Sequence, residues 1–484
     1  MTDFTKIKKN IIGNDVEYDF AYGKKKIVYA DWTASGRLYK PIEEFISNEL
    51  GPFVANTHTE TTVTGTRMTK AYHQAQKIIK NHVNASEDDV LISAGFGMTA
   101  VINKLQRILG LRVPEQFCTM ERCEDKEKPL VIITHMEHHS NQTTWNECYC
   151  DVEIINRKDD GLPDLEHLEE ILKNNKNRKT KIGSFSACSN VTGIITPFHK
   201  MAKLMHKHGG LCFIDFAASA PYFKIDMHPK DKMEALDAIF FSPHKFLGGP
   251  GSSGVMVFHK ELYQNKVPDH PGGGTVLWTN PWGKQEYFSN IEVREDGGTP
   301  GFLQTIKTAL SVLLKEEMGI ENILKKEEEL KDRLVSKLNA HQFVEILEKQ
   351  QMNRLAIVSF YSRELHHNLI VKLLNDRFGI QTRGGCSCAG TYGHILMNID
   401  EMTSNKITTL LHKGDLSKKP GWVRISLHPT MTFEEVDYIA DAVTQVIDNY
   451  EEWEKDYVFS TENAEFYLKD NKKDEFNLKN EYLK

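Results

Sequence analysis

The sequence predicts an α/β fold with a largely parallel sheet at its centre. From about residue 65, amphipathic helical patterns alternate with short, continuously apolar runs. Runs without polar alternation are typical of strands that are buried on both faces, and helices between them are typical of crossovers that join parallel strands. About seven such runs precede residue 260. This pattern favours a seven-stranded sheet covered by helices over an antiparallel sandwich.

The predicted elements follow one another in a regular order. The first helix, at about 66–83, has Met68, Tyr72, Ala75 and Ile79 on one face, since they recur every third or fourth position. The runs predicted to form strands are DDVLISAG, PLVIIT, DVEIINR, KIGSFSA, LCFID, DAIFFS and GVMVFH. The helices predicted between them are MTAVINKLQRILG, PDLEHLEEILKNN and PFHKMAKLMHKHGG, the last two opened by proline.

After about residue 300 the pattern changes to a second, smaller α/β unit. A long helical region at 303–338 precedes the strands LAIVSFYS and WVRISL, and the last helix opens with a capping box, Thr432 and Glu435. We expect a large domain over 20–300 and a small domain over 301–460 that includes the N-terminal segment. The remaining residues, 461–484, are charged and predict a solvated tail rather than a docking arm.

Composition and charge exclude several classes of protein. Apolar residues make up 40% of the chain and charged residues 26%, so it can bury a large core and is not disordered. A net charge of −7 without a basic stripe argues against nucleic acid or an anionic membrane as a partner. No apolar run reaches the roughly 18 residues that span a bilayer, and the N-terminus does not resemble a secretory signal. We therefore expect a cytoplasmic protein.

The eight cysteines are too sparse for a disulfide scaffold in a chain of 484 residues. They form no CxxC pair, and the CxC pairs Cys148/Cys150 and Cys386/Cys388 lack the spacer that structural zinc sites use. The sequence predicts no metal site.

Lys245 is the first candidate for chemistry. It follows the strand DAIFFS in the segment FFSPHKFLGGPGSSG, where Ser242 and His244 can bind an anion and the glycines allow a ligand to approach the backbone. Lysine forms a Schiff base with an aldehyde cofactor such as pyridoxal phosphate (PLP), whose pyridine nitrogen needs an acidic partner. Asp215, at the end of the strand LCFID, is the candidate partner, although an isolated aspartate there could also cap the next segment.

Three further loops follow strands of the same predicted sheet. The turn SAGFGMT offers the amides of residues 95–97 at a helix N-terminus, where phosphate binds readily. His138, in HMEHHSNQTTW, could stack on a pyridine ring or be ordinary polar surface, and Asn190, in SACSNVTG, could donate to a ring oxygen. Ligands of such sheets bind beyond the carboxyl ends of the strands, so the loops after the strands are the expected place of the site.

Taken together, these motifs resemble the class-V aminotransferase family, most closely its cysteine desulfurase and selenocysteine lyase branch. The resemblance runs from about Tyr29 to about Asn449 and is carried, in the family's order, by MEHHSN, CSNVTG, IDFAASAP, FFSPHKFLGGPGSSG, GGGT and GGTPG. It implies the fold of fold-type I PLP-dependent transferases, PLP as the cofactor and a small amino acid as the substrate.

The resemblance also implies a role for each candidate residue. Lys245 would hold PLP and move protons, Asp215 would pair with the pyridine nitrogen, and His138 would stack on the ring. Asn190 would contact cofactor and substrate. The residues that would hold the phosphate are Gly95, Phe96, Gly97, Ser242 and His244, together with Thr299 reaching the partner subunit's site. Sharing of that kind implies a homodimer.

Two positions depart from the family's pattern. Ala218 stands where the desulfurases usually carry a glutamine that hydrogen-bonds the phenolic oxygen of the cofactor. Phe96 and Gly97 stand where their phosphate turn usually bears threonines, which shifts phosphate binding towards backbone amides. Neither departure removes an indispensable group.

The reaction type depends on the segment TRGGCSCAGTYGH. By similarity, Cys388 lies at the position of the cysteine that attacks the substrate sulfur, Cys386 precedes it by two residues, and Arg424 matches the arginine that pairs with the substrate carboxylate. The neighbouring Arg383 favours a reactive thiol, because positive charge lowers thiol pKa. The resemblance thus implies a cysteine desulfurase that converts L-cysteine to L-alanine, holds the sulfur as a Cys388 persulfide and passes it to a sulfur-acceptor protein.

Other functions remain open from the sequence. A PLP-dependent lyase acting on selenocysteine or cystine, or a class-V aminotransferase, would use the same cofactor site without a catalytic cysteine. A sulfur-trafficking scaffold with little turnover is disfavoured, because it would not need a buried Lys245–Asp215 pair. The CxC pair and an insertion near 395–420 are also similar to the desulfurase domain of molybdenum cofactor sulfurases. A second insertion is expected near 112–128.

Overall fold

A seven-stranded sheet lies at the centre of the molecule and confirms the fold predicted from the sequence. The computed structural model describes residues 2–57, 59–117, 127–469 and 476–483. The strand order in this sheet is β4-β10-β9-β8-β7-β5-β6. Strand β10 runs antiparallel to both of its neighbours, whereas the remaining pairs are parallel.

The strands of the chain are β1 (Glu17–Phe20), β2 (Gly23–Lys26), β3 (Val28–Tyr29), β4 (Asp89–Ala94), β5 (Leu130–Thr134), β6 (Asp151–Ile155), β7 (Lys181–Ser186), β8 (Leu211–Asp215), β9 (Ala238–Phe241), β10 (Gly254–His259), β11 (Val276–Thr279), β12 (Gln285–Tyr287), β13 (Glu345–Ile346), β14 (Ile357–Tyr361), β15 (Ile380–Gln381), β16 (Arg383–Gly385), β17 (Trp422–Ser426), β18 (Tyr457–Ser460) and β19 (Glu465–Leu468).

The helices are α1 (Phe4–Lys9), α2 (Lys40–Glu44), α3 (Val63–His82), α4 (Met98–Ile108), α5 (His139–Asn146), α6 (Leu165–Asn174), α7 (Phe198–Lys207), α8 (Ile291–Glu295), α9 (Phe302–Met318), α10 (Ile320–Asn339), α11 (His367–Phe378), α12 (Gly390–Leu396), α13 (Glu401–His412), α14 (Phe433–Trp453) and α15 (Leu478–Tyr482).

The burial of the central strands explains why their sequences lack polar alternation. β5, β7 and β9 are buried at every position, with helices packed against the sheet. A strand covered on both faces gains from apolar or small side chains at every residue, and this is the pattern on which the fold prediction rested. The parallel strands end at one edge of the sheet, so the loops after them converge there.

A second, four-stranded sheet forms in the C-terminal part of the chain, in the order β13-β14-β17-β16. Its strands pair antiparallel, helices α10 and α11 pack against it, and α14 packs against these two helices. The N-terminal β3 pairs with β15, so the beginning of the chain joins this part of the molecule. The capping box predicted at Thr432 and Glu435 opens α14, as expected.

The long helical region predicted at 303–338 is divided in two. Gly319 separates α9 from α10 with a φ of 76°, a backbone conformation that favours glycine. Helix α9 packs against α3, whereas α10 packs against α14. The division lets one continuous stretch of sequence cover two different surfaces.

Two segments differ from the sequence prediction. Residues 139–146, expected as a loop, form α5. The predicted tail over 461–484 begins inside an antiparallel hairpin, β18–β19, whose Phe466 and Leu468 pack against the core. Residues 470–475 and 484 of that tail, and 118–126 of the predicted insertion near 112–128, lie outside the described residues. The insertion near 395–420 contains α13.

In the described part of the chain, no helix has the length and apolar character needed to cross a membrane. The same residues contain no cluster of histidine, cysteine and carboxylate side chains suited to a metal ion.

Glu327 provides a test of the core that is independent of the site. It lies on α10 with 2% of its surface exposed, and burial raises the pKa of its carboxyl to about 8. Between the unfolded pKa of about 4.3 and the folded value, unfolding releases a proton, so this group costs stability as pH rises through that range. We expect Glu327→Gln to raise Tm by about 1 °C more at pH 8 than at pH 5 for each kcal/mol that the buried carboxyl costs, because Tm shifts by about 1 °C per kcal/mol in a chain of this length.

The neighbouring Glu328 is exposed and serves as the matched control. Melting of the Glu328→Gln variant should follow that of the natural protein at both pH values. Equal changes in Tm for the two variants, or a larger increase in Tm for Glu327→Gln at pH 5 than at pH 8, would show that the fold does not hold the Glu327 carboxyl neutral.

Candidate active site

A cavity of about 1000 Å³ lies at the edge of the central sheet where the parallel strands end. Its walls come from the loops after those strands, from the segment before α9 and from the loop before α12. All the residues that the sequence predicts for the site line it: Gly95, Phe96, Gly97, His138, Asn190, Asp215, Ser242, His244, Lys245, Thr299, Cys388 and Arg424. The structure thus brings the predicted residues together, while their roles remain predictions.

Lys245 ends a single helical turn, Pro243–Lys245, that follows β9. This turn packs closely on Gly36, whose N–H donates to the His244 carbonyl at 2.9 Å. A side chain at Gly36 would place its Cβ 1.9 Å from the Phe246 carbonyl oxygen, so the contact requires glycine. The N-terminal segment therefore supports the backbone that carries the lysine, a contribution that no sequence pattern indicated.

Asp215 is the acidic partner expected for this site, and it lies buried at the end of β8. Its Oδ1 accepts a hydrogen bond from the Ala217 N–H at 2.7 Å, and the described residues donate none to its second oxygen. Burial raises the pKa of Asp215 and lowers that of Lys245, while the attraction between the two opposite charges acts against both shifts. The pair is close enough to interact and has capacity for a further hydrogen bond.

His138 caps the N-terminus of α5, where its Nδ1 accepts from the Ser140 N–H at 3.1 Å. Burial and the nearby charge of Lys245 lower the pKa of His138 to about 3, so the ring is neutral at ordinary pH. A neutral, fixed ring facing the cavity has the properties needed for stacking on a flat ligand.

Glu137 fixes the loop that carries His138, and sequence analysis did not single it out. Its buried carboxylate accepts from the Ser186 hydroxyl at 2.6 Å and from the Asn141 amide at 2.7 Å. These bonds join the loop after β5 to the end of β7 and to α5 at the edge of the sheet. Its neighbours His135, His138 and His139 are polar, so no local pattern of the sequence marked this buried network.

The glycine-rich turn at residues 95–97 lies against the segment 242–245, which carries Lys245. The Met98 N–H, at the start of α4, donates to Ser242 Oγ at 2.8 Å, and a Cβ on Gly97 would lie 3.1 Å from the same oxygen. Burial, with a smaller effect from the charge of Lys245, lowers the pKa of His244 to about 4. Backbone N–H groups at a helix start, a hydroxyl and an uncharged imidazole together suit an anionic ligand.

Arg424 lies in the buried strand β17, and a carboxylate that the sequence did not indicate contacts it. Its Nη2 donates to Asp31 Oδ1 at 2.7 Å and its Nη1 to the Asn190 carbonyl at 3.0 Å. Arg383 donates from Nε to the other Asp31 oxygen at 3.3 Å. Asp31 thus holds two guanidinium groups at the cavity wall, where they can also receive the carboxylate of a ligand.

The two cysteines of the CxC pair face different surroundings. Cys388 is exposed and lines the cavity, whereas Cys386 is half-buried and packs against the apolar cluster that contains Met136 and Trp422. Both sulfurs are free thiols. Of the two, Cys388 is the one that can meet a ligand in the cavity, and its role as the nucleophile remains a prediction.

Several buried polar atoms of the cavity wall have no partner among the described residues, namely Asn190 Oδ1, Ser387 Oγ and Arg424 Nε. Such atoms are costly to bury unless something bonds to them, so a polar ligand fits this wall. A lysine and an aspartate that line the same cavity, beside a turn suited to an anion, also match the donor set that PLP requires. Ala218 contributes no hydrogen bond from its side chain.

Comparison with known sequences identifies a matching family and several relatives. The family described as Aminotransferase class-V matches residues 28–439. A protein named probable cysteine desulfurase from Halalkalibacterium halodurans is 27% identical over 371 residues, which are 75% of this chain and 84% of that protein. One of the same name from Staphylococcus aureus (strain N315) is 26% identical over 369 residues, 75% of this chain and 84% of the relative.

Solved structures show the same fold. The apo cysteine desulfurase from Thermococcus onnurineus NA1 has a TM-score of 0.73 at 22% identity, covering 93% of this chain and 99% of that chain. The S-sulfonic acid form of the cysteine desulfurase CsdA from Escherichia coli has a TM-score of 0.71 at 20% identity, with the same coverage of 93% and 99%.

Proposed function

The chain belongs to the class-V aminotransferase family, and from that membership we propose that it is a PLP-dependent cysteine desulfurase. The observation that carries the proposal is the position of Cys388, an exposed thiol on the same cavity as Lys245 and Asp215. The names of the relatives described above support it. A lyase or aminotransferase would need the lysine and the aspartate but would have no use for a thiol at this place.

The residues present fit PLP. We propose that Lys245 holds its aldehyde carbon, that Asp215 pairs with the pyridine nitrogen and that His138 stacks on the ring. Asn190 contacts both cofactor and substrate. The phosphate would be held by Gly95, Phe96, Gly97, Ser242, His244 and Thr299. When bound, PLP supplies the electron sink that makes the bonds at the α- and β-carbons of an amino acid breakable.

Substrate binding and proton transfer are assigned to side chains of the protein itself. Arg424 binds the substrate α-carboxylate and thereby orients the amino acid with its side chain towards Cys388. The amine of Lys245, whose pKa burial lowers, takes the α-proton and later returns a proton to the product. The neutral ring of His138 can pass a proton within the cavity without a stable charge.

Sulfur transfer needs no external oxidant. The Cys388 thiolate attacks the sulfur of the substrate, a sulfur–sulfur bond forms and the Cβ–S bond breaks. The electron pair of the broken bond stays with the β-carbon, which takes up a proton and becomes the methyl group of alanine. The substrate carbon is reduced while the transferred sulfur is oxidised, and Cys388 carries it as a persulfide until a thiol of an acceptor protein removes it.

We also propose that the protein acts as a homodimer. The family resemblance assigns the residue that matches Thr299 to the partner's site, although within the single chain Thr299 lines the cavity of its own subunit. The preceding hairpin, β11–β12, exposes apolar side chains, among them Trp282 with 83% and Leu277 with 57% of the surface exposed. Exposed apolar groups of this size favour an interface. A cytoplasmic location is part of the same proposal.

The proposal is tested by the products. We expect the purified protein, supplied with PLP, L-cysteine and dithiothreitol, to release alanine and sulfide in equal amounts, because each persulfide that the reductant removes corresponds to one alanine. Pyruvate should be a minor product. Parallel incubations with selenocysteine and cystine extend the comparison to the alternative substrates.

Pyruvate and ammonia as the main products from cysteine would make the protein an eliminating lyase, and alanine released from selenocysteine but not from cysteine would make it a selenocysteine lyase. Transfer of the amino group to an added 2-oxo acid without release of sulfide would make it an aminotransferase. Each of these results would refute the cysteine desulfurase.

A further inference from the structure

The backbone around the candidate nucleophile adopts an unusual conformation. Ser387 and Cys388 are consecutive non-glycine residues with φ of 51° and 58°, in the left-handed region. Side chains disfavour this region, and two adjacent residues there persist only when surrounding bonds hold them. The structure must therefore contain contacts that keep this loop in place.

Two of those contacts come from one residue, His139. Its N–H donates to the Cys388 carbonyl at 2.8 Å, and its Nε2 accepts from the Gly390 N–H at 2.9 Å. Cys388 and Gly390 are thus tied to the start of α5. A third bond, from Asn190 Nδ2 to the Ser387 carbonyl at 2.8 Å, holds the preceding residue.

The ring of His139 acts as the N-terminal cap that the side chain of Ala389 cannot provide for α12. Gly390 is the first residue of α12, and the residue before it, Ala389, has no side chain that could accept from the helix start. First-turn N–H groups of a helix need an external acceptor. A Cβ on Gly390 would lie 3.1 Å from His139 Nε2, so the close approach depends on glycine at this position.

We propose that His139 is a positioning residue for the nucleophile: by accepting from Gly390 and donating to Cys388, it holds the Cys388 loop over the cavity. The inference rests on the proposed desulfurase function only where it concerns turnover. The hydrogen bonds themselves are properties of the protein with or without substrate.

The acceptor role requires a neutral ring with its proton on Nδ1. Burial and the charge of Lys419 lower the pKa of His139, which favours the neutral form. The neutral ring of His138 lies 6.3 Å away between ring centres. A side chain that accepts a hydrogen bond at the same place but does not titrate should therefore be able to perform the same role as the His139 ring.

The first experiment measures amide hydrogen exchange of the purified protein without substrate, in a peptide that covers residues 386–392. His139→Phe keeps an aromatic ring but removes the acceptor, whereas the Oε1 of His139→Gln can reach the position of Nε2. We expect His139→Phe to speed exchange at Gly390 roughly three- to tenfold, the change that loss of one hydrogen bond produces. His139→Gln should stay near the natural rate.

The second experiment measures alanine formation from cysteine. We expect His139→Phe to lower kcat about tenfold with KM for cysteine nearly unchanged, because the substrate-binding groups are untouched, and His139→Gln to restore most of kcat. The exposed His412, replaced by phenylalanine, is the control and should change neither measurement.

Unchanged exchange in His139→Phe, or equal acceleration in the phenylalanine and glutamine variants, would overturn the inference even in an active desulfurase. If the natural protein releases no alanine but the exchange pattern is as expected, the proposed function fails and the positioning role stands.

Discussion

Replacement of Lys245 by alanine is expected to abolish turnover and to remove the covalent attachment of PLP. The natural protein should be yellow after purification or after addition of PLP, and reduction with borohydride should fix the cofactor on the peptide that contains residue 245. The variant should lose alanine formation by a factor on the order of 10²–10⁴ or more, because both the attachment point and the proton carrier are gone. Absorption spectra, peptide mass and alanine release measure the three effects.

Two further variants make this test specific. Lys260 lies on the surface in an ion pair with Asp88, and Lys260→Ala should leave colour and activity unchanged. Asp215→Asn keeps the shape of the side chain but removes its charge, so we expect weaker cofactor retention and much lower turnover with a nearly unchanged Tm. A natural protein that stays colourless with added PLP would refute the PLP site, and normal activity of Asp215→Asn would reduce the aspartate to a structural cap.

The fold and the location of the site could be predicted because both follow from local patterns and one topological rule. Buried parallel strands require apolar residues at every position, which makes runs such as those of β5 and β9 visible in the sequence. The rule that ligands bind at the carboxyl edge then places the loops after the strands together. His138, Asp215 and Lys245 line one cavity for this reason.

The parts that could not be predicted depend on contacts between distant segments. Asp31 meets Arg424 across 393 positions and Arg383 across 352, and no local pattern marks an aspartate after a two-residue strand as their partner. Gly36 likewise contacts the Lys245 turn only in the folded chain.

Helix α5 was missed for a related reason. Its buried residues include Ser140 and Asn141 beside Trp145, so it shows no apolar stripe, and its stability comes from the His138 cap and from tertiary hydrogen bonds. The hairpin β18–β19 was hidden in the same way, since its charged, mixed composition resembles a tail until Phe466 and Leu468 meet the core.

Cys388→Ala is the second variant with a large expected effect, and it separates the desulfurase from the other PLP enzymes. Without the thiol there is no acceptor for the substrate sulfur, so alanine formation from cysteine should fall on the order of 10²-fold or more. Colour and Tm should persist, because Cys388 lies on an exposed loop and not among the residues proposed to hold PLP. Mass spectrometry of the natural protein after brief exposure to cysteine should find a persulfide at this residue.

The other thiols give the comparison its direction. Cys386 packs against the apolar cluster that contains Met136 and Trp422 and does not line the cavity, so Cys386→Ala should lose much less activity than Cys388→Ala. Replacement of the partly buried Cys148 by alanine should cause no loss of activity. Selenocysteine should remain a substrate of Cys388→Ala, since its weaker C–Se bond needs less help from a thiolate. The reverse order of the two loop variants would move the nucleophile to Cys386. Full activity of both on cysteine would mean that no loop thiol receives the sulfur, and the cavity would then belong to a lyase or an aminotransferase.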